Sequence, residues 1–133
     1  MSTPMQLFAL ALAGAAGTLA RYGLSVAIDS RLLHDGKHPL YGTFLSNAIG
    51  CLLFGVVLAY LTARAMDGHP ARLILLTGFM GAFTTFSTYA YLSADLAGKG
   101  HWLLAGGHIL AHNAVGIGLF VAGAAIGSRL AGA

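Results

Sequence analysis

Four long apolar stretches divide this chain, and they restrict its possible folds more than any other feature. They run over residues 4–28, 40–63, 73–94 and 102–127. Each exceeds the ~20 residues that a helix needs to cross a bilayer. Lipid offers no partner to an unpaired backbone group, so an open chain crosses it only as helices. The pattern predicts an all-α, multi-pass membrane protein in a lipid bilayer, with four transmembrane helices in one domain, residues 1–133.

The small supply of charged residues argues against the alternative, a soluble all-α domain. Charged residues make up 8% of the 133 positions, hydrophobic ones make up 57%, and the mean hydropathy is +0.78. A soluble domain has about 25% charged residues. The Lys and Arg residues are scattered along the chain without forming a patch, so the pI near 9.4 does not indicate nucleic-acid binding.

The basic residues of the connections show no bias between the two sides of the membrane. One side carries Arg64, Arg72 and Arg129, and the other carries Arg31, Lys37 and Lys99. A Lys/Arg bias in short loops normally sets orientation. The tie is either chance or typical of a chain that inserts both ways, in which case two opposed copies can pair about an axis in the membrane plane.

Glycines recur about one helical turn apart in three of the spans. The pairs are Gly14 and Gly17, Gly78 and Gly81, and Gly123 and Gly127. Small residues at this spacing let helix backbones approach closely within a membrane. A single four-helix chain leaves little interior for a substrate path, so this packing favours assembly into a dimer or a larger object.

Two polar residues interrupt otherwise apolar spans. Arg21 in the first span costs at least ~2.5 kcal/mol to insert, so it should face protein or water. It either ties helices together near the interface or holds the carbonyls of a neighbouring helix end. Asn47 lies in the middle of an uncharged span. Its amide either links two helices or donates hydrogen bonds to a passing anion.

Residues 78–89 of the third span read GFMGAFTTFSTY and make a poor helix interior, because glycines, β-branched residues and hydroxyls crowd together. We therefore expect a break in the third helix. Broken transmembrane helices bind ions through exposed backbone groups that face a protein-lined cavity. Phe86 and Tyr89 share a helix face, and the positive edges of their rings can solvate a small anion. Ordinary core packing is the alternative for this pair.

Three stretches together resemble the signature segments of the Fluc (CrcB) fluoride channels. They are GAAGTLARY, GTFLSNAIGCLLFG and GFMGAFTTFSTYA, which also match that family in order and spacing. The resemblance implies a passive channel, not an enzyme, that exports toxic fluoride across a prokaryotic plasma (inner) membrane. It also implies an antiparallel, dual-topology homodimer with two fluoride pores and a central structural sodium ion (Na+).

The resemblance assigns residues to the fluoride path by position. Asn47 corresponds to the pore asparagine of the family. Phe86 and Tyr89 correspond to the two aromatic-box positions, and Ser87 and Thr88 lie between them on the fluoride path. The second box position is usually phenylalanine, and the tyrosine in this chain can donate a hydrogen bond that a phenylalanine cannot.

The same resemblance assigns the sodium site and the fourth span. The backbone carbonyls of Gly81 and Thr84 match the Na+ site, and Arg21 matches the structural arginine of the first helix. In the fourth span the family usually has a tyrosine and then a serine on the fluoride path, where this chain has His108 and His112. Imidazoles at these positions change the hydrogen-bonding groups that the path presents.

Two other classes of function compete with a channel. A small multidrug or cation exporter needs a carboxylate within the membrane, and this chain has no Glu and four Asp, all at span ends or in loops. A non-transporting membrane scaffold would use its polar residues only to tie helices together. An enzyme is disfavoured because the histidines lack a carboxylate partner, although the i, i+4 spacing of His108 and His112 leaves a metal pair open.

Overall fold

The computed structural model describes residues 2–32 and 40–132, and these residues form helices and contain no strand. Four helical spans in them are long and apolar enough to cross a membrane: Thr3–Ile28, Leu40–Ala63, Pro70–Gly98 and Trp102–Leu130. The predicted four spans are confirmed, and the third and fourth are longer than the apolar stretches. Residues 33–39, which hold most of the first predicted connection, including Lys37, lie outside the described residues.

Three of the spans are single helices. The first two spans are α1 (Thr3–Leu32) and α2 (Leu40–Ala63). The fourth span is the last helix of the chain, α6 (Trp102–Leu130). The third span is built from α3 (Pro70–Arg72), a π-helical segment (Leu73–Met80), α4 (Gly81–Phe83) and α5 (Phe86–Gly98). It begins before its apolar stretch because Pro70 suits the first helical turn and the His69 ring accepts a hydrogen bond from the Ala71 amide.

Two threonines between α4 and α5 have extended backbone. Thr84 has φ −94° and ψ 156°, and Thr85 has φ −144° and ψ 107°. β-Branched side chains favour this conformation. The Thr85 hydroxyl then accepts a hydrogen bond from the Thr88 amide at 3.3 Å and caps the start of α5.

The helices α2 and α6 form the main packing interface of the chain, and glycines bring their backbones into contact. A methyl group at Gly55 would fall on the Phe120 carbonyl. At Gly123 and Gly127 it would fall on the carbonyls of Leu52 and Val56. The predicted close approach at Gly123 and Gly127 is therefore confirmed, and it is an approach within one chain.

The helix α1 packs against the π-helical segment and α4 in the same way. A methyl group on Gly17 would fall on the Phe79 carbonyl, and one on Gly78 would press on Leu10 and Ala13. By contrast, Gly81 has helical backbone and no neighbouring atom closer than 3.8 Å to such a methyl group. Together these contacts bring α1 and α2 up to the extended threonines.

Candidate functional site

A groove opens beside the extended threonines, between α2, α5 and α6. Its volume is about 290 Å³. Its walls include side chains from all three helices and from the extended segment: Asn47, Cys51, Thr84, Thr85, Phe86, Tyr89, His112 and Asn113. We call this space the central groove. It collects polar groups from three spans beside the extended backbone of Thr84 and Thr85.

Asn47 holds the extended segment by pairing with both backbone groups of Thr85. The Thr85 amide donates to Asn47 Oδ1 at 2.8 Å, and Asn47 Nδ2 donates to the Thr85 carbonyl at 3.2 Å. An amide nitrogen has two hydrogens, so one remains for another acceptor. Asn47 therefore performs the helix-linking task that the sequence left open, and it keeps one donor at the wall of the groove.

Arg21 supports the same segment from α1. Its Nε donates to the Ala82 carbonyl at 3.3 Å. In a continuous helix that carbonyl would accept from the amide four residues on, at Phe86. Arg21 thus supplies a donor where the helical ladder stops, which is the helix-end contact considered for this residue above.

The carbonyls of Gly81 and Thr84 are released from the helical ladder for the same reason. Their helical donors would be the amides of Thr85 and Thr88. The Thr85 amide is bonded to Asn47, and the Thr88 amide is bonded to the Thr85 hydroxyl. The carbonyls of the two residues assigned to sodium binding are therefore among those that these hydrogen bonds leave to other partners.

Aromatic rings and imidazoles form a continuous cluster along one side of the groove. The ring centroids of Phe86 and Tyr89 are 5.4 Å apart, and those of Tyr89 and His112 are 4.7 Å apart. Phe44 meets His112 edge to face at 4.9 Å. The Phe86 ring is 78% exposed in the single chain, so it projects beyond the walls of the groove.

Asn113 is a site residue that the sequence reasoning missed. Its Nδ2 donates to the Tyr89 hydroxyl at 3.1 Å and to the Ile109 carbonyl at 2.8 Å. The hydroxyl of Tyr89 thus accepts from Asn113 and retains its own hydrogen for donation. The sequence signal that could have identified Asn113 is the presence of an amide side chain beside His112 in an apolar span. Thr85 was missed too, because its contribution is made by its backbone.

Three predicted fluoride-path residues lie outside the walls of the groove. The hydroxyls of Ser87 and Thr88 lie 3.3 Å and 3.0 Å from the Thr85 hydroxyl, at the cap of α5. His108 lies one turn from His112 and is hydrogen-bonded to Ser93 at 2.9 Å. The proposed part of these residues in ion passage stays a prediction.

Within residues 2–32 and 40–132, no group of three or more His, Cys, Asp or Glu residues could hold a metal ion.

Comparison with known proteins agrees with the resemblance seen in the sequence. Residues 8–124 match the family described as "CrcB-like protein, Camphor Resistance (CrcB)". A protein of Nitrosococcus oceani is 44% identical over 108 residues, which cover 81% of this chain and 84% of the relative. A protein of Nitratidesulfovibrio vulgaris (strain Miyazaki F) is 48% identical over 105 residues, covering 76% and 82%.

A protein of Chloroflexus aurantiacus matches a longer part, at 36% identity over 126 residues, or 95% of this chain and 98% of the relative. All three relatives carry the name "Fluoride-specific ion channel FluC". The family match covers most of the chain, and it includes the central groove and the residues that hold the extended threonines. This chain belongs to the CrcB family.

Proposed function

We propose that this protein is a fluoride-selective ion channel that exports fluoride passively across a prokaryotic plasma membrane. The name of the three relatives supports fluoride as the transported ion. The central groove is the observation that carries the proposal. Such a pore must replace the water of a small anion with several hydrogen-bond donors in a place that excludes cationic substrates. Among the described residues, those that line the groove include donors and no carboxylate.

Two donors and two rings in the groove suit a dehydrated anion. The second Nδ2 hydrogen of Asn47 and the hydroxyl hydrogen of Tyr89 are available beside the groove. The ring edges of Phe86 and Tyr89 add weak positive charge. Asp67 pairs with Arg72, and Asp95 pairs with Lys99 at 2.6 Å, so these carboxylates belong to the span ends. This arrangement favours a channel over a carboxylate-dependent exporter.

We propose further that two chains assemble antiparallel, with one pore on each side. The groove of one chain is open, and the Phe86 ring projects from it with 78% of its surface exposed. A second chain would cover this ring and close the groove. The equal counts of basic residues in the connections support insertion in both directions. Two-fold symmetry of opposed copies then gives two equivalent grooves.

The third span is proposed to be broken at Thr84 and Thr85 to make a cation site at the centre of this dimer. Carbonyl oxygens are suitable ligands for Na+, and the carbonyls of Gly81 and Thr84 are released from the helical ladder. These residues therefore fit the ion. When bound, Na+ would supply positive charge that balances the carbonyl dipoles of both subunits and links them.

Fluoride and chloride efflux from liposomes that hold only this polypeptide tests the proposal. We expect rapid fluoride efflux, little chloride efflux and no requirement for a proton gradient. Substrate exchange that depends on a proton gradient would instead support a small multidrug exporter. An intact dimer without flux of either anion would support a scaffold.

A further inference from the structure

The two histidines of α6 lie between two cavities. His112 lines the central groove, of about 290 Å³. His108 lines a second cavity of about 330 Å³, together with Tyr41, Phe44 and Leu104. The ring centroids of the histidines are 4.3 Å apart. An ion that moves along α6 from one cavity to the other therefore passes this histidine pair.

The hydrogen bonds around the pair determine which ring nitrogens carry hydrogen. The Ser93 hydroxyl donates to the Tyr89 carbonyl at 2.8 Å, so its oxygen can only accept from His108 Nδ1 at 2.9 Å. His112 Nδ1 lies 3.2 Å from the His108 carbonyl, which is an acceptor. Both Nδ1 atoms are therefore donors. A neutral imidazole has one N–H, so both Nε2 atoms carry a lone pair.

These two lone pairs have no partner. His108 Nε2 and His112 Nε2 are buried and make no hydrogen bond in the described chain. A lone pair repels an anion, so the neutral pair opposes fluoride at this point. A proton on either Nε2 reverses this effect, because it produces a charged N–H donor in a place of low dielectric constant.

Within residues 2–32 and 40–132, no carboxylate faces the pair to balance such a proton. The helix α2 contributes Tyr41 and Cys51, and α5 contributes Tyr89. None of these three side chains is a carboxylate. Asp95, two residues beyond Ser93, pairs with Lys99. As far as the described part of the chain is concerned, the balancing charge must therefore arrive with the ligand, and an anion supplies it. A divalent metal would bring still more uncompensated positive charge.

We propose that His108 and His112 form a proton-dependent anion subsite, in which a protonated imidazole binds fluoride through its Nε2–H. This inference rests on the proposed function, and it assigns the two positions of the fourth span where the chain departs from the family pattern. Fluoride current should rise as pH falls. The expected result is a larger fluoride current at pH 5.5 than at pH 7.5.

Electrical recording in planar bilayers tests this subsite, because neutral HF crosses lipid without carrying current. The parent protein is compared with the double variant His108→Tyr/His112→Ser and with the control His101→Gln. His101 is exposed and lies outside the spans. We expect the parent and His101→Gln to gain current at acidic pH, and the double variant to conduct at a rate that pH does not change.

A current in the parent that is independent of pH, or a double variant that keeps the acidic rise, would overturn the subsite. Nitrogen-15 NMR of the imidazoles gives a second test without flux. It should show Nδ1–H tautomers at pH 7.5, and Nε2 shifts at pH 5.5 that respond to fluoride and not to chloride. Nε2–H tautomers at pH 7.5 would contradict the inference. Absence of fluoride current at any pH, with the fluoride-dependent shifts present, would instead refute the proposed channel.

Discussion

At the scale of single residues, side chains replace the hydrogen bonds that the third span loses at its extended threonines. Asn47 satisfies both backbone groups of Thr85, and Arg21 satisfies the Ala82 carbonyl. An unsatisfied backbone group in lipid costs several kcal/mol. These two polar residues offset that cost, which explains why expensive side chains are present in apolar spans.

Substitution of Asn47 should lower both the stability of the protein and its rate of fluoride efflux. In Asn47→Leu both hydrogen bonds to Thr85 are lost, and we expect about 1–3 kcal/mol lower stability for each buried group left unpaired. Asn47→Asp keeps an acceptor for the Thr85 amide, but it loses the donor and repels an anion. Fluoride efflux rates and thermal unfolding of the purified variants measure these effects. Asn113→Leu is the control amide, with no bond to Thr85, and should be less destabilised. Parent-like flux in Asn47→Leu would exclude a role in the pore.

Substitutions of Phe86 and Tyr89 should have effects of different size on fluoride efflux. Tyr89→Phe removes a hydroxyl that accepts from Asn113, while Asn113 keeps its bond to the Ile109 carbonyl. We expect unchanged selectivity and a rate within about tenfold, or about 1.4 kcal/mol in the barrier. Phe86→Ala removes a whole ring edge and should slow fluoride efflux far more. The aromatic hypothesis fails if Phe86→Ala and Tyr89→Ala both conduct like the parent.

At the scale of helices, glycines set the distances between backbones. Gly55, Gly123 and Gly127 let α2 and α6 touch along their length, and Gly17 and Gly78 do the same for α1 and the third span. Membrane helices associate through such close packing because lipid provides no hydrophobic driving force between them. The positions of Arg21 and Asn47 beside the extended threonines depend on these contacts.

Gly123→Ala tests the contact between α2 and α6 against a control in the same helix. The new methyl group would fall on the Leu52 carbonyl, and the backbone shift should cost about 1–3 kcal/mol. A methyl group at Gly118 meets no atom within 4 Å, so Gly118→Ala should be neutral or stabilising by up to about 1 kcal/mol. Thermal unfolding in detergent compares the two variants. Equal stability of both would contradict the packing account.

At the scale of the whole molecule, orientation depends on very few charges. Apart from Arg21, the Lys and Arg residues lie outside the predicted spans, three on each predicted side of the membrane. Lys99 contributes its positive charge to this count. Its hydrogen bond to the Asp95 carboxylate raises the pKa of the ammonium group and so favours the charged form. A chain with so small a bias can be turned by a small change in its loops.

Insertion in both orientations is therefore the expected result when either terminus is tagged and probed in cells. Ala63→Lys with Gly68→Lys adds two charges to the side of the termini and should force one orientation and abolish fluoride efflux. Gly98→Lys with His101→Lys should force the opposite orientation. Co-expression of the two variants should restore efflux. A single orientation of the parent protein would rule out the antiparallel homodimer.

The sequence by itself was sufficient for the four helical spans. Long apolar stretches have one solution in lipid, because every backbone group must be satisfied within the segment. The glycine pairs indicated close helix contacts for a similarly local reason, namely that the absence of a side chain is visible in the sequence. Their partners were not visible, and Gly55 was overlooked for that reason.

Only the tertiary structure decided how the polar residues are used. Asn47 and Thr85 are 38 positions apart in the chain, and Arg21 and Ala82 are 61 apart. Their hydrogen bonds exist because α1 and α2 both pack against the third span. The tautomer of His108 likewise depends on Ser93 and Tyr89 of another helix. Hydrogen bonds need particular atoms within about 3 Å, and local sequence patterns do not determine such distances between helices.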